Sequence, residues 1–169
     1  GDPVPGGSLE SLVLVREERS IDEDLLEDAS RNIEAYLRER GYREARAPYA
    51  REEQSGDLVL TFTVERGPLH HVGAVGLDGN RSLPAADFEP LLQLTRGDPF
   101  VDARVAAIAV AIEELYRVRG FERVAVKPSV EVLPEETVGG VRSRPVDVRF
   151  TIVEGVRTTV ETVILEGAE

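Results

Sequence analysis

The chain has 169 residues and a net charge of −12, from 32 acidic and 20 basic residues, and it contains neither cysteine nor methionine. The acidic balance argues against nucleic acid or an anionic membrane surface as a partner. The absence of cysteine excludes disulfides and thiolate metal sites and fits an oxidising compartment. The missing methionine predicts a piece of a longer protein, and no apolar run reaches membrane-spanning length.

The amino-terminal part predicts two helices followed by two strands. The first helix is expected to carry Leu9, Leu12 and Val13, although so short an apolar run leaves a strand over 9–16 as an alternative. A second helix shows apolar residues at helical spacing: Leu26, Ala29, Ile33 and Leu37. After Gly41, strands are predicted over residues 43–50 and 57–64. Because too few residues precede Leu9, this unit is expected to lack its first strand.

Two groups of polar residues resemble metal sites, and a simpler interpretation of each is preferred. The acidic run over 22–28 is interpreted as a solvated helix start, with Ser20 and Glu23 as a capping box. One helix offers poor ligand geometry for calcium. His70 and His71 are adjacent and should point to opposite sides, as linker or strand residues. We therefore predict no metal and no cofactor, with pH sensing at the two histidines as a weaker alternative.

The carboxy-terminal part predicts strand, helix, helix, strand and strand. A strand over 72–77 is followed by a helix from Pro84, with apolar residues Phe88, Leu91 and Leu92. A second helix, ending at Gly120, carries Val105, Ile108, Ile112, Leu115 and Tyr116 at helical spacing. Strands over 122–133 and 145–153 are joined by a hairpin loop that contains Gly139 and Gly140.

The second part repeats the first. Leu58, Leu60, Phe62 and Val64 return 88 residues later as Val146, Val148, Phe150 and Ile152. The preceding helices match at an offset of 79. The offset grows to 88 at the last strand because the second hairpin loop is nine residues longer. The repeat predicts units at 1–67 and 68–156 and the first strand of a further unit at 157–169. Function in such arrays is expected at surfaces and edges.

Three motifs stand at the joints between elements of the second unit. They are Val75-Gly76-Leu77-Asp78-Gly79-Asn80, Gly97-Asp98-Pro99-Phe100 and Tyr116-Arg117-Val118-Arg119-Gly120-Phe121. Together with the order of the elements, they resemble the POTRA (polypeptide-transport-associated) domain. Tandem copies look like the arm of BamA- or TamA-type outer-membrane assembly factors, although Leu37 stands where the second unit has Tyr116. The resemblance implies an α+β fold of tandem β-α-α-β-β modules, each a three-stranded mixed sheet with two helices on one face.

The resemblance also implies a function without catalysis. POTRA domains of this kind handle unfolded outer-membrane or secreted polypeptides and accessory assembly proteins in the periplasm of Gram-negative bacteria. The parent would be embedded in the outer membrane through a carboxy-terminal β-barrel. Two alternatives stay open, namely the arm of a two-partner secretion transporter and a scaffold for accessory proteins without substrate handling. An enzyme is disfavoured, because a small helix-covered sheet rarely offers a cleft.

An exposed strand edge is the predicted peptide-binding site, since an extended peptide can add to it by β-augmentation. In the family, the strand after the second helix lies at the edge. Pro48 and Pro128 favour this position because proline cannot donate to a ladder, although they could equally blunt the edge against sticking. The predicted peptide-binding residues are Arg43, Ala45, Ala47, Arg123, Val124, Val126 and Val130. The predicted interdomain joint is Gly67, Pro68, His70 and His71.

Overall fold

The computed structural model describes residues 23–54 and 56–159. By compactness this part of the chain divides into two bodies: residues 23–71, 97–101 and 132–146, and residues 72–96, 102–131 and 147–159. The terms first unit and second unit refer below to the two sequence repeats, up to residue 67 and from residue 68. The predictions for residues 9–16, for Ser20 and for the third copy lie outside the described residues. Within the described ranges, no helix is both long and apolar enough to cross a membrane.

The first unit contains the predicted second helix and a β-hairpin. Helix α1 (Glu23–Arg38) is followed by strands β1 (Tyr49–Gln54) and β2 (Asp57–Phe62), which pair antiparallel. The helix buries the four residues predicted from its spacing: Leu26, Ala29, Ile33 and Leu37. Ile33 and Leu37 pack with the buried Ala45 and Ala47 into a small core. This apolar stripe holds the helix against the chain that leads into the hairpin.

The strand predicted over 43–50 begins later than expected, at Tyr49. The backbone first makes a turn in which the Ala45 N–H donates to the Tyr42 carbonyl at 3.0 Å. Antiparallel pairing then begins at the isolated bridge between Arg46 and Glu65. At Pro48 the ladder has one bond fewer, because proline has no N–H, although the Thr63 N–H still donates to its carbonyl at 2.8 Å.

A second sheet is built from four strands. Strand β3 (Leu69–Asp78) precedes helix α2 (Asp102–Val118), and β4 (Ala125–Val132), β5 (Glu136–Val138) and β6 (Val141–Val153) follow. The strand order is β3-β6-β4, and β5 pairs with β6. Strand β6 buries the alternating residues predicted from the sequence: Val146, Val148, Phe150 and Ile152. These helices and sheets confirm the predicted α+β class.

The hairpin loop predicted between the last two strands is itself paired. Strand β5 pairs antiparallel with the start of β6, and Val138 lies opposite Val141. Gly139 and Gly140 form the connection with φ of 59° and 80°. Positive φ at both central residues is the requirement of a type I′ turn, whose twist matches that of the flanking strands.

The helix predicted from Pro84 to Leu92 is shorter than expected. A 3-10 helix spans Ala85–Asp87, and the N–H groups of Leu91 and Leu92 then both donate to the Phe88 carbonyl at 2.9 Å. Pro90 explains the difference, because it has no N–H with which to continue an α-helical ladder. Phe88 is nevertheless buried as predicted, and its ring centroid lies 5.8 Å from that of Tyr116.

Both helices end in the same motif. Gly41 and Gly120 have φ of 90° and 93°, which glycine adopts at low cost. Their N–H groups donate to the carbonyls of Arg38 and Arg117 at 3.0 Å. The next residues, Tyr42 and Phe121, donate to Leu37 and Tyr116 at 3.1 and 3.0 Å. This pair of bonds defines a Schellman cap, and it confirms the helix ends predicted from the two glycines.

Candidate functional site

Strand β4 lies at one edge of its sheet, with β6 as its neighbour. The N–H of Leu133, one residue past β4, donates to the carbonyl of Pro145 on β6 at 2.9 Å. Backbone groups alternate in direction along a strand paired on one side. The even-numbered residues 126 to 132 therefore direct their backbone N–H and C=O groups away from β6. Pro128 occupies one of these outward positions, where it costs no bond to β6.

The N–H of Val126 has a partner on helix α2. It donates to Oε1 of Glu113 at 3.1 Å. The second carboxylate oxygen, Oε2, lies 2.7 Å from Nη2 of Arg117, one helical turn further on. The carboxylate is thus held from two sides, and the bond from Val126 is strengthened by the negative charge that accepts it.

The first unit contains the same arrangement. The N–H of Ala47 donates to Oε1 of Glu34 at 3.2 Å, and Arg38 Nη2 lies 2.6 Å from Glu34 Oε2. Ser30 adds a bond that the second unit lacks, because its hydroxyl donates to the Ala47 carbonyl at 2.7 Å. The residue equivalent to Ser30 is Ala109.

Sequence reasoning did not find these two glutamates. A polar residue beside the apolar face of a helix is usually solvated, so neither glutamate by itself indicates a functional role. The signal was nevertheless present in the repeat. The motif Glu-x-x-x-Arg recurs at an offset of 79, and each glutamate precedes its strand partner by thirteen residues.

Four of the predicted edge residues lie before the strands. Arg43 and Ala45 precede β1, and Arg123 and Val124 precede β4. In both units the helix cap is followed by a turn, and the Val124 N–H donates to Phe121 at 3.4 Å as Ala45 does to Tyr42. The turn uses the N–H groups of Ala45 and Val124, so the strands do not extend over these four residues, and peptide binding there stays a prediction. Val126 and Val130 lie on β4, and Ala47 lies just before β1.

The predicted joint residues lie partly within a strand. His70 and His71 both belong to β3, with His70 buried and His71 part-exposed. The His70 N–H donates to the Gly41 carbonyl at 2.8 Å, and Thr158 donates to Gly120 at the same distance. The chain that follows each repeat therefore returns to the glycine cap of its own helix.

No metal-binding cluster is found in residues 23–54 and 56–159. His71 instead lies 3.6 Å from a carboxylate oxygen of Glu136. In the acidic run, Glu27 and Asp28 pair with Arg31 at 2.7 and 3.1 Å. These carboxylates are engaged in exposed helix ion pairs, which contribute a few tenths of a kcal/mol at most.

Burial lowers the pKa of His70 below its ordinary 6.5, and the charges of Arg43 and Arg144 lower it further. The Glu44 carboxylate near Nε2 of His70 raises this pKa, but by less than burial lowers it. His70 is therefore neutral in the fold, while the unfolded chain takes up a proton near pH 6.5. The stabilisation it provides is complete above this pH and is lost as the pH falls towards the folded-state pKa.

We predict that the free energy of unfolding of the wild-type protein decreases when the pH is lowered from neutral to roughly 5. In His70→Gln the decrease should be smaller. Urea denaturation at both pH values measures it. His71→Gln is the matched control and should retain the wild-type loss. An equal loss in wild type and His70→Gln would contradict the assignment.

Glu154 joins three elements of the second unit. Its Oε1 accepts the Tyr116 hydroxyl at 2.9 Å and the Ser82 N–H at 2.8 Å, and its Oε2 accepts the Ser82 hydroxyl at 2.7 Å. Burial raises the pKa of Glu154, but the bonds from Ser82 and Tyr116 outweigh it and the net pKa lies below 4.5. In the first unit, Leu37 and Arg66 replace Tyr116 and Glu154, so the hydroxyl and its acceptor are exchanged together.

Comparison with known proteins places this fold in a family. The family model POTRA, described as surface antigen variable number repeat, matches twice, over residues 3–67 and 70–155. The chain therefore belongs to the POTRA family, as its sequence motifs predicted. No curated protein sequence matches the chain.

Several solved structures share the fold at low sequence identity. BamA from Haemophilus ducreyi lacking POTRA domains 1–3 is 18% identical with a TM-score of 0.56, over 90% of this chain and 27% of that one. POTRA1–3 of the periplasmic domain of Omp85 from Anabaena is 14% identical with a TM-score of 0.51, over 92% and 57%. The chain thus spans about a quarter and just over half of these two structures.

Proposed function

We propose that this chain is a periplasmic module of an outer-membrane β-barrel assembly or translocation protein. It binds extended polypeptides or accessory assembly proteins by β-augmentation at sheet edges, above all the edge of β4. The function is non-covalent, because backbone pairing at a strand edge requires neither a nucleophile nor a cofactor. Membership of the POTRA family and the fold shared with BamA and with the periplasmic domain of Omp85 support this proposal.

The observation that carries the proposal is the edge position of β4 together with its exposed valines. Val130 and Val132 are each 39% exposed at outward positions, whereas Val124 and Val126 are buried. Exposed β-branched residues beside outward backbone groups suit an incoming strand, since side chains of the added strand can pack on them. Backbone bonding would also allow many sequences to bind.

The division into units is part of the proposal. Units at 1–67 and 68–156, with a further copy from 157, would follow one another through a joint at Gly67, Pro68, His70 and His71. The support is the repeated chain path: Gly67 and Gly155 have φ of 68° and 73°. His70 and Thr158 then bond to equivalent glycines.

Photo-cross-linking tests peptide binding at β4. The chain lacks cysteine, so Val130→Cys can carry a benzophenone label at one position. The probe is a denatured outer-membrane β-barrel protein diluted from urea. We expect severalfold more cross-linked product at residue 130 than at Val110→Cys, an exposed valine on α2 that serves as the matched control.

A short peptide of alternating threonine and valine tests the role of the backbone. It should compete with the denatured protein at residue 130, while a version N-methylated at every residue should compete weakly, because it has no N–H group to donate to the edge. Equal cross-linking at residues 130 and 110, or equal competition by both peptides, would contradict augmentation. Capture of one folded protein with no unfolded polypeptide would favour the scaffold alternative.

A further inference from the structure

We infer that Glu113 is a guard residue that sets the register in which an extended polypeptide adds to β4, and that Glu34 has the same role in the first unit. This inference rests on the proposed function. The guard is a helix carboxylate that occupies the first outward N–H of the edge strand. An added strand is thereby confined to the part of β4 beyond Pro128.

The outward positions of β4 are not equivalent as donors. At Val126 the N–H is bonded to Glu113, and Pro128 carries no N–H. The next outward N–H groups belong to Val130 and Val132. A peptide carbonyl placed opposite Val126 would have to displace a charged acceptor that Arg117 also holds. Opposite Val130 it meets an outward backbone position on a residue that is 39% exposed.

Proline alone does not end strand pairing in this chain. In the hairpin of the first unit, Thr63 donates to the Pro48 carbonyl at 2.8 Å, and two bonds between Arg46 and Glu65 follow on the far side. A partner strand therefore continues past a proline with the loss of one bond. The restriction at β4 must come from the glutamate, which distinguishes the guard from the blunting effect expected of proline.

The repetition of the guard supports a role beyond local chance. Glu34 and Glu113 accept from equivalent strand residues at 3.2 and 3.1 Å, and each pairs with an arginine one turn later. The surrounding residues differ, as Ser30 and Ala109 show. In the first unit the Ser30 hydroxyl also engages the Ala47 carbonyl. Glu34 and Ser30 together engage both backbone groups of Ala47, so the first unit is the more restrictive of the two.

Cross-linking with register resolution tests the guard. Single cysteines replace Lys127 or Glu131, which are exposed on either side of Pro128. The probe is the threonine–valine peptide with one central benzophenone. We expect cross-linking at residue 131 and little at residue 127. Glu113→Ala should raise the yield at residue 127 severalfold and leave residue 131 reactive, since the Val126 N–H can then bond to the peptide.

Two matched variants control for charge and for helix perturbation. Glu113→Gln retains an acceptor oxygen but loses the charge, so its yield at residue 127 should lie between those of wild type and Glu113→Ala. Glu114→Ala removes the adjacent carboxylate, which lies 3.5 Å from Arg117 without a bond to β4, and it should leave the pattern unchanged.

Amide hydrogen exchange of peptide-free protein provides a second measurement. The Val126 N–H should exchange slowly in wild type, severalfold faster in Glu113→Ala, and at an intermediate rate in Glu113→Gln. If Glu113→Ala folds and its Val126 amide exchanges at the wild-type rate, the role of Glu113 as a guard is overturned. This result does not depend on the cross-linking yield.

The possible failures are distinguishable. Equal yields at residues 127 and 131 in wild type, unaffected by Glu113→Ala, would overturn the guard and leave peptide binding at β4 intact. No cross-linking at either residue in any variant would overturn the proposed function itself.

Discussion

Replacing Gly79 with alanine is expected to destabilise the second unit by about 3–5 kcal/mol. Gly79 follows β3 with φ of 90°, a conformation that an alanine adopts only with strain. An added Cβ would also overlap the backbone carbonyl oxygen of Ile152 on β6. Strand β6 is the central strand of its sheet and cannot move aside without breaking its pairing with β3 or β4.

Urea denaturation followed by circular dichroism measures this effect, and Gly97→Ala is the matched control. Gly97 has nearly the same φ, 93°, but an added Cβ there meets no atom within 4 Å. Its replacement should cost only the backbone strain, about 1–2 kcal/mol. Since a domain is stable by only about 5–15 kcal/mol, Gly79→Ala should show a much lower midpoint. Similar losses in the two variants would mean that the close approach to Ile152 does not matter.

Breaking the Tyr116–Glu154 bond is expected to cost about 1.5–3 kcal/mol, the range for a hydrogen bond to a charged group. Tyr116 is fully buried, and Glu154 accepts the hydrogen bond from its hydroxyl at 2.9 Å. Glu154→Ala should be the more damaging change, because it leaves both Tyr116 and Ser82 without their acceptor. Tyr116→Phe removes the donor but keeps the ring that packs on Phe88 and Phe121.

A double-mutant cycle separates this bond from packing. Tyr116→Phe and Glu154→Gln should together cost less than the sum of their separate losses. Because the folded pKa of Glu154 lies below 4.5, its stabilisation is present above that pH and is lost as the pH falls through the folded value. In Glu154→Gln the free energy of unfolding should therefore fall less steeply at acidic pH than in wild type. Strict additivity, with an unchanged fall at acidic pH, would show that the contact contributes little.

The elements that apolar spacing predicted correctly are those whose burial is periodic. Helix α1 buries Leu26, Ala29, Ile33 and Leu37, and β6 buries alternate residues from Val146 to Ile152, because one face of each meets a core. The glycines after both helices were equally informative. Only a left-handed residue can form the cap observed there.

The errors arose where backbone hydrogen bonding overrode the side-chain pattern. Phe88, Leu91 and Leu92 have helical spacing, but Pro90 prevents the ladder that a helix needs. Ala45 and Ala47 alternate as a strand would, but the turn after Gly41 delays β1 to Tyr49. The guard glutamates were missed for a related reason. Their partners are backbone N–H groups, which leave no mark on the residue type of the strand.

The guard bonds have a consequence for how such repeats change in length during evolution. Thirteen residues separate each guard from its partner on the strand in both copies, whereas the hairpins that follow differ by nine. One residue inserted between Gly120 and Val126 would place an inward-facing N–H opposite Glu113 and leave the carboxylate without its strand partner. Gaps among related repeats should therefore collect at the hairpin tips and spare the short stretch between helix and edge.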